Sequence, residues 1–123
     1  MGDHIAHWDE HGFGPWLFVD RESGAPVGYG GPRRTEVEGR PEVEIGYVLR
    51  SDRWGEGLAT EMARASVEAT LEHGIRDLVC FTYRDHNASR RVMEKVGFRY
   101  ERDFERAGLP HVLYRWPQVP RRQ

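Results

Sequence analysis

The stretch IGYVLRSDRWGEGLATE, residues 45–61, decides how this chain folds. An apolar run is followed by a glycine-punctuated turn, and the first turn of a helix comes directly after it. This geometry directs unpaired backbone N–H groups toward one point at the positive end of a helix dipole, which suits an anionic group such as a phosphate. The alternative is a plain tight connection, in which the glycines only provide positive φ angles. The stretch alone leaves both interpretations open.

Composition narrows the class of protein. The 123 residues predict a single domain, with a polar N-terminal segment over 1–15 and a tail over 117–123. A net charge of −2 gives no reason to expect a nucleic-acid partner, and no apolar stretch is long enough for a membrane span. The single cysteine, Cys80, fits a reducing compartment, so a cytoplasmic protein is expected. Three histidines near the N-terminus do not form a convincing metal site, and no metal is expected.

Hydrophobic periodicity predicts the order β-β-β-α-β-α-β-β. Residues 1–15 are interpreted as a short polar helix that ends in a loop, and the segment from Pro32 to Pro41 as a polar loop. The strand before the turn alternates, with Val43, Ile45, Tyr47 and Leu49 on one side and Glu42, Glu44, Gly46 and Val48 on the other. The strands are predicted at 16–20, 26–31, 42–49, 78–83, 98–102 and 111–116, and the helices at about 57–73 and 88–96.

Two familiar phosphate motifs do not account for the turn. No Gly-Lys-Ser/Thr follows, so it is not a P-loop, and the full G-x-G-x-x-G spacing of a dinucleotide site is missing. A second motif, NASRRVMEKVGF at residues 87–98, follows the apolar strand that ends at Tyr83. Together with the Glu-Ile-Gly-Tyr strand and the Trp-Gly-Glu-Gly-Leu-Ala-Thr-Glu turn, it resembles the GNAT acetyltransferase superfamily. The closest resemblance is to the ribosomal-protein N-terminal acetyltransferase (Rim-type) branch.

The resemblance implies an α+β fold with a mixed, mostly antiparallel sheet and helices on both faces, built around acetyl-CoA as cosubstrate. The loop would wrap the pyrophosphate, and the end of the preceding strand would pair its backbone with the pantetheine arm. The cofactor-binding residues implied in this way are Tyr47, Val48, Leu49, Arg53, Trp54, Gly55, Glu56, Gly57, Leu58, Ala59, Asn87 and Arg90.

The chain departs from the family pattern at several points. Asp52 stands where the loop pattern has Gln or Arg, and Asn87 is shifted so that His86 takes the aligned Asn position. Met93 replaces the tyrosine that many members use to protonate the departing thiolate. The chain also starts later than family members do, as if the usual N-terminal strand and helices were absent. We therefore expect an exposed sheet edge at the Trp16 to Val19 strand or a homodimer that covers it.

Acetyl transfer to an amine needs a base for the amine and an acid for the thiolate. Glu44 is the predicted base because it lies just before the strand end implied to contact the cosubstrate, and Glu42 on the same side is its substitute. The alternative for Glu44 is a strand glutamate with a cross-strand Arg partner. Ser89 resembles the residue proposed in the Rim-type branch to protonate the thiolate; otherwise it caps the helix. Cys80 is expected to be a buried core thiol.

The function that follows is an N-acetyltransferase moving acetyl from acetyl-CoA directly to a primary amine, either a protein N-terminus or a small amine. The alternative belongs to another class: a module of the same fold that binds acyl-CoA or dimerises without catalysis. The late start, Met93 and the Asn87 shift favour that alternative, whereas Glu44, the two glycines of the turn and Ser89 favour the enzyme.

Overall fold

The computed structural model describes residues 5–8 as backbone and residues 16–50, 52 and 55–117. Nine elements follow one another along the chain. They are β1 (Ile5–Trp8), β2 (Trp16–Asp20), β3 (Pro26–Val37), β4 (Arg40–Leu49), α1 (Glu56–Glu72), β5 (Leu78–Tyr83), α2 (Asn87–Val96), β6 (Arg99–Arg106) and β7 (Leu109–Arg115). Neither helix in this part of the chain has the length and apolar character needed to span a bilayer.

All seven strands form one sheet in the order β1-β2-β3-β4-β5-β7-β6. Every neighbouring pair is antiparallel except β4 and β5, so the mixed, mostly antiparallel α+β fold is confirmed. The polar helix expected within residues 1–15 is wrong where the structure describes that segment, because Ile5–Trp8 is a strand paired with β2. The expected exposed edge at Trp16–Val19 is wrong for the same reason. The homodimer was expected because it would cover that edge, so it stays a prediction without this support.

The loop expected between Pro32 and Pro41 is also wrong, because β3 and β4 form one long hairpin there. Val37 pairs with Arg40, and the two residues between them have positive φ angles, 52° at Glu38 and 81° at Gly39. Positive φ at both central residues is the type I′ turn that matches the twist of a hairpin. The predicted alternation of β4 is confirmed, since Ile45 is buried in the core together with its same-side neighbours Val43, Tyr47 and Leu49.

Both helices pack on one face of the sheet, which corrects the expectation of helices on both faces. Residues of α1 and α2 share one buried cluster with Ile45, Leu78 and Tyr114, and Arg64 of α1 donates a 3.0 Å hydrogen bond to the Lys95 carbonyl at the end of α2. The topology explains this placement. The connections β4-α1-β5 and β5-α2-β6 both join parallel strands and move across the sheet in the same direction. Two right-handed crossovers in one direction place both helices on the same side.

The opposite face holds a second buried cluster, of Val37, Val79, Phe104 and Leu113. Edge strand β6 reaches the tip of the β3–β4 hairpin on this face. Arg102 Nη2 lies 2.7 Å from Glu38 Oε1, and Arg106 Nη1 donates to the Glu36 carbonyl at 2.8 Å. These contacts fix the hairpin at its tip, which holds its remaining length in place along the middle of the sheet.

Candidate functional site

The two parallel strands in the middle of the sheet separate soon after they meet. β4 pairs with β5 only at Val43 with Leu78 and at Glu44 with Val79. Beyond these pairs both strands continue, β4 to Leu49 and β5 to Tyr83. Residues 45–49 therefore have no ladder partner on the β5 side within the described chain. Such an edge offers free N–H and C=O groups to an extended ligand.

The separation of the strands opens a cleft of about 290 Å³ between β4, β5 and the start of α2. Its lining residues are Glu44, Ile45, Gly46, Tyr47, Leu49, Phe81, Thr82, His86, Ser89 and Met93. A second space of about 430 Å³, which we name the hairpin cavity, lies against β3 and β4. It is lined by Tyr29, Gly30, Gly31, Pro32, Arg33, Glu44, Gly46, Tyr47 and Val48. Glu44, Gly46 and Tyr47 line both spaces, so the two meet at β4.

Glu44 lies at the point where the strands separate, and its carboxylate is divided between two roles. Oε1 accepts a 2.7 Å hydrogen bond from Arg33 Nε, its cross-strand neighbour. Oε2 has no hydrogen-bond donor among the described residues. The Glu44 side chain is 8% exposed, and its Oε2 keeps contact with solvent, since it is not among the fully buried polar atoms that lack a hydrogen-bond partner. Glu44 therefore has the cross-strand arginine partner of the structural alternative, and it also lies between the two spaces. Its Oε2 is available to accept a proton.

Glu42 is fully engaged elsewhere, which distinguishes the two candidate bases. Arg115 binds both of its oxygens, with distances of 3.1 Å to Oε1 and 3.0 Å to Oε2. The same guanidinium also binds Glu101 and Asp77, and the hydrogen bond to Glu42 is the main cause that raises the pKa of Arg115. Glu42 lines neither the cleft nor the hairpin cavity. Its contacts make it a buried structural ion pair.

Ser89 lies in the first turn of α2 and lines the cleft opposite β4. The helix is capped by His86, whose Nδ1 accepts a 3.2 Å hydrogen bond from the Ser89 backbone N–H. The Ser89 hydroxyl is therefore not needed as a cap, and the positive end of the helix dipole favours negative charge near it. Asn87 is the first residue of the helix, exposed, and does not line the cleft.

The wall of the cleft beside Ser89 contains Tyr47 and Met93. The buried Tyr47 hydroxyl completes no hydrogen bond among the described residues. Burial raises the pKa of Tyr47 to about 12, the nearby Cys80 adds to the rise, and the Ser89 hydroxyl opposes it. Burial, together with Glu44, raises the pKa of the Cys80 thiol well above its usual range. Cys80 is thus a protonated core residue, unsuited to act as a nucleophile.

The turn before α1 is described in part, because Ser51, Arg53 and Trp54 lie outside the described residues. Gly55 precedes the helix with an extended backbone, φ −179°, and none of the side chains that the structure describes caps the first turn. Neither Gly55 nor Gly57 has a positive φ, and a Cβ at either would meet nothing within 4 Å. The tight-turn interpretation therefore does not explain these glycines. The backbone N–H groups of residues 56–58 have no partner within the helix, as at any uncapped start.

Three other predicted cofactor residues have structural roles. Ala59 donates its N–H to the Gly55 carbonyl at 2.9 Å, and its side chain is in the core, as is part of Leu58. Arg90 donates from Nε to the Tyr114 hydroxyl at 3.1 Å and from Nη1 to the Arg84 carbonyl at 2.9 Å. The hydrogen bond to Tyr114 is the main cause that raises the pKa of Arg90. A role of Arg90 at a phosphate stays a prediction.

The lining of the cleft and the hairpin cavity includes Arg33, which the sequence did not single out, and His86, which it placed only at the aligned Asn position. Arg33 could have been found from the cross-strand register, but only once residues 32–41 were recognised as strand. His86 caps α2 although histidine is not among the usual N-cap residues, so propensity gives no signal for it.

Comparison with known proteins agrees with this architecture. The acetyltransferase (GNAT) domain family matches residues 2–99. The uncharacterized protein YkkB of Bacillus subtilis is 29% identical over 109 residues, which cover 86% of this chain and 63% of YkkB. A GnaT-family acetyltransferase from Bordetella pertussis superposes with a TM-score of 0.75 at 26% identity, over 89% of this chain and 69% of that one.

An acetyltransferase from Agrobacterium tumefaciens gives a TM-score of 0.72 at 25% identity, over 87% of this chain and 62% of that one. The chain thus spans somewhat less than two thirds of the length of YkkB and of the Agrobacterium protein. The family match covers most of the chain, including the strands β4 and β5 that separate at the cleft. The chain belongs to the acetyltransferase (GNAT) domain family.

Proposed function

We propose that this chain is a cytoplasmic N-acetyltransferase that moves acetyl from acetyl-CoA directly to a primary amine. The observation that carries the proposal is that Glu44 lines both the cleft and the hairpin cavity. A donor in one space and an acceptor in the other would meet at this carboxylate. The proposal includes membership of the Rim-type branch, which rests on the sequence motifs.

The residues of the cleft fit acetyl-CoA. The unpaired β4 edge at residues 45–49 would bind the amides of the pantetheine arm, as one more strand would. The uncapped start of α1, with open space above Gly57, would receive the pyrophosphate. When bound, acetyl-CoA supplies an activated thioester carbonyl. The site would present that carbonyl between β4 and the first turn of α2.

The side chains then divide the proton transfers. Oε2 of Glu44 takes a proton from the ammonium form of the acceptor, directly or through one water, and the neutral amine nitrogen then attacks the thioester carbonyl. The carbon–sulfur bond breaks, and the Ser89 hydroxyl passes a proton to the departing thiolate, in place of the tyrosine that Met93 replaces, while it regains one from the nitrogen that becomes the amide. Burial raises the pKa of the Cys80 thiol, which makes it a poor nucleophile, so the proposal has the amine attack acetyl-CoA directly and forms no acyl-enzyme.

Two measurements on the same protein test the proposal. Acetyl-CoA should raise the melting temperature, and a panel of amines should produce thiol release above the rate of hydrolysis, with the acetylated amine identified by mass spectrometry. A thermal shift without turnover would leave only an acyl-CoA-binding module, the function that Met93 would favour. Absence of any shift would contradict both functions.

A further inference from the structure

The wall of the hairpin cavity carries a guanidinium that is only partly used. Arg33 donates from Nε to Glu44 at 2.7 Å, and its side chain is 65% exposed. No other acceptor for its remaining N–H groups exists among the residues that the structure describes. A guanidinium with free donors matches a carboxylate, which it can bind through two parallel hydrogen bonds. The cavity therefore offers a binding position for an anion beside the proposed base.

The two charges of this wall lie side by side. Arg33 and Glu44 are directly opposite each other in the β3–β4 ladder, and no residue in the described part of the chain donates to Glu44 Oε2. A ligand that carries an amine and a carboxylate on neighbouring atoms would place the amine at Glu44 and the carboxylate at Arg33. A polycationic amine would instead meet the positive charge of Arg33.

The far end of the hairpin cavity is apolar. Tyr29 and Val48 are cross-strand neighbours there, and their side chains are 53% and 52% exposed. Between them and the ion pair lies the pair Gly31 and Gly46, which contributes no side chain. At about 3.4 Å per residue, four residues separate the two ends by roughly 13 Å. The cavity of about 430 Å³ is thus charged at one end and open and apolar at the other.

We propose that the acceptor is a free α-amino acid with an apolar side chain. Its amine would face Glu44, its carboxylate would bind Arg33, and its side chain would extend over the two glycines toward Tyr29 and Val48. This inference rests on the proposed acetyl transfer and specifies its substrate. The transfer forms the amide bond of an N-acetylamino acid, and the thiol of CoA leaves with the proton supplied at Ser89.

The test compares four acceptors that share one side chain: phenylalanine, phenylalaninamide, phenylethylamine and a tetrapeptide with N-terminal phenylalanine. Thiol release with acetyl-CoA is measured, and kcat/KM is compared for each acceptor across a pH range that spans the amine pKa values, so that a difference in amine pKa alone does not set the order. We expect phenylalanine to exceed the other three by at least about tenfold, the selectivity that a lost charged contact gives. The tetrapeptide separates a free amino acid from a protein N-terminus.

Variants assign the preference to Arg33. Arg33→Met should remove the advantage of phenylalanine over its amide, mainly through KM, and Arg33→Lys should retain part of it. The control is Arg34→Met, which removes the same charge one residue further along β3, outside the cavity lining.

The outcomes separate this inference from the proposed function. Equal rates with phenylalanine and its amide, or an unchanged preference in Arg33→Met, would overturn the inference while acetyl transfer stands. Turnover with none of the amines would overturn both. If Arg33→Met does not fold, the four acceptors with the unaltered protein and with Arg33→Lys still decide.

Discussion

Two buried glutamates lie two residues apart on β4, and each is paired with an arginine, yet the structure predicts opposite consequences when they are altered. Glu42→Gln should lower stability and leave the rate unchanged, whereas Glu44→Gln should lower the rate and leave stability almost unchanged. The reason is the partner. Arg115 encloses both oxygens of Glu42, but Arg33 binds one oxygen of Glu44 and is 65% exposed.

The magnitudes follow from these contacts. Glutamine at position 42 loses one charge-assisted hydrogen bond at a side chain that is 4% exposed, while Arg115 keeps Glu101 and Asp77. We expect the free energy of unfolding to fall by about 2 kcal/mol, or roughly 8 °C in melting temperature. The contact at position 44 is part-buried but its arginine is 65% exposed, so loss of the charge there should cost at most about 1 kcal/mol. Loss of a positioned base should reduce kcat by about 10²–10⁴-fold.

The assay is a denaturant titration and a thiol-release measurement on each variant, under the same buffer conditions. The unaltered protein and both variants should bind acetyl-CoA with similar affinity, which shows that each has folded around the cleft. The reasoning is refuted if Glu42→Gln lowers kcat as much as Glu44→Gln does, or if Glu44→Gln has an unaltered rate.

Three further predictions concern the rest of the chain. Gly57→Ala should stabilise the protein by up to about 1 kcal/mol, because alanine favours helix, yet weaken acetyl-CoA binding in calorimetry, because the new methyl occupies the open space at the start of α1; tighter or equal binding would contradict the pyrophosphate position. Ala107→Gly should raise the free energy of unfolding by up to about 1 kcal/mol in a denaturant titration, since Ala107 has φ 54° in the β6–β7 turn, and a lower value would show that the turn is not strained. The hydrogen bond from Arg115 lowers the pKa of Glu101, so its stabilisation is present above the pKa of the unfolded carboxyl and is lost as pH falls through the lower folded value; Glu101→Gln should flatten this acid dependence, and an equal slope in both proteins would exclude it.

Local patterns predicted much of the fold. The alternation of β4 and the glycines that end both helices, Gly74 with φ 87° and Gly97 with φ 125°, are signals that act over a few residues. They placed α1, α2 and the strand between them, β5, close to their observed bounds. Glu44 and Ser89 could be proposed for the same reason, since both belong to short motifs, and both line the cleft.

The hairpin beyond Gly31 could not be predicted in the same way. Its polar residues resemble a loop because their partners are charged residues on other strands, such as Glu44 for Arg33 and β6 residues for the tip. The turn uses Glu38 and Gly39 where Asn-Gly would have given a clear signal. The missed hairpin concealed Arg33 and the cavity beside it.

The placement of the helices depends on the whole topology. A helix on each face needs crossovers that run in opposite directions across the sheet, and here both run the same way. The rule was available, but it applies only once the strand order is known, and the insertion of β7 between β5 and β6 is not visible in any local pattern.

The measurement that tests the central claim most directly is the pH dependence of kcat/KM for the unaltered protein and for Glu44→Gln. If Glu44 takes the proton from the amine, the variant should be far slower near neutral pH, and the difference should narrow as the pH rises above the pKa of the acceptor amine. A ratio that stays constant across that range, or rates that coincide at every pH, would contradict the role of Glu44 as the base.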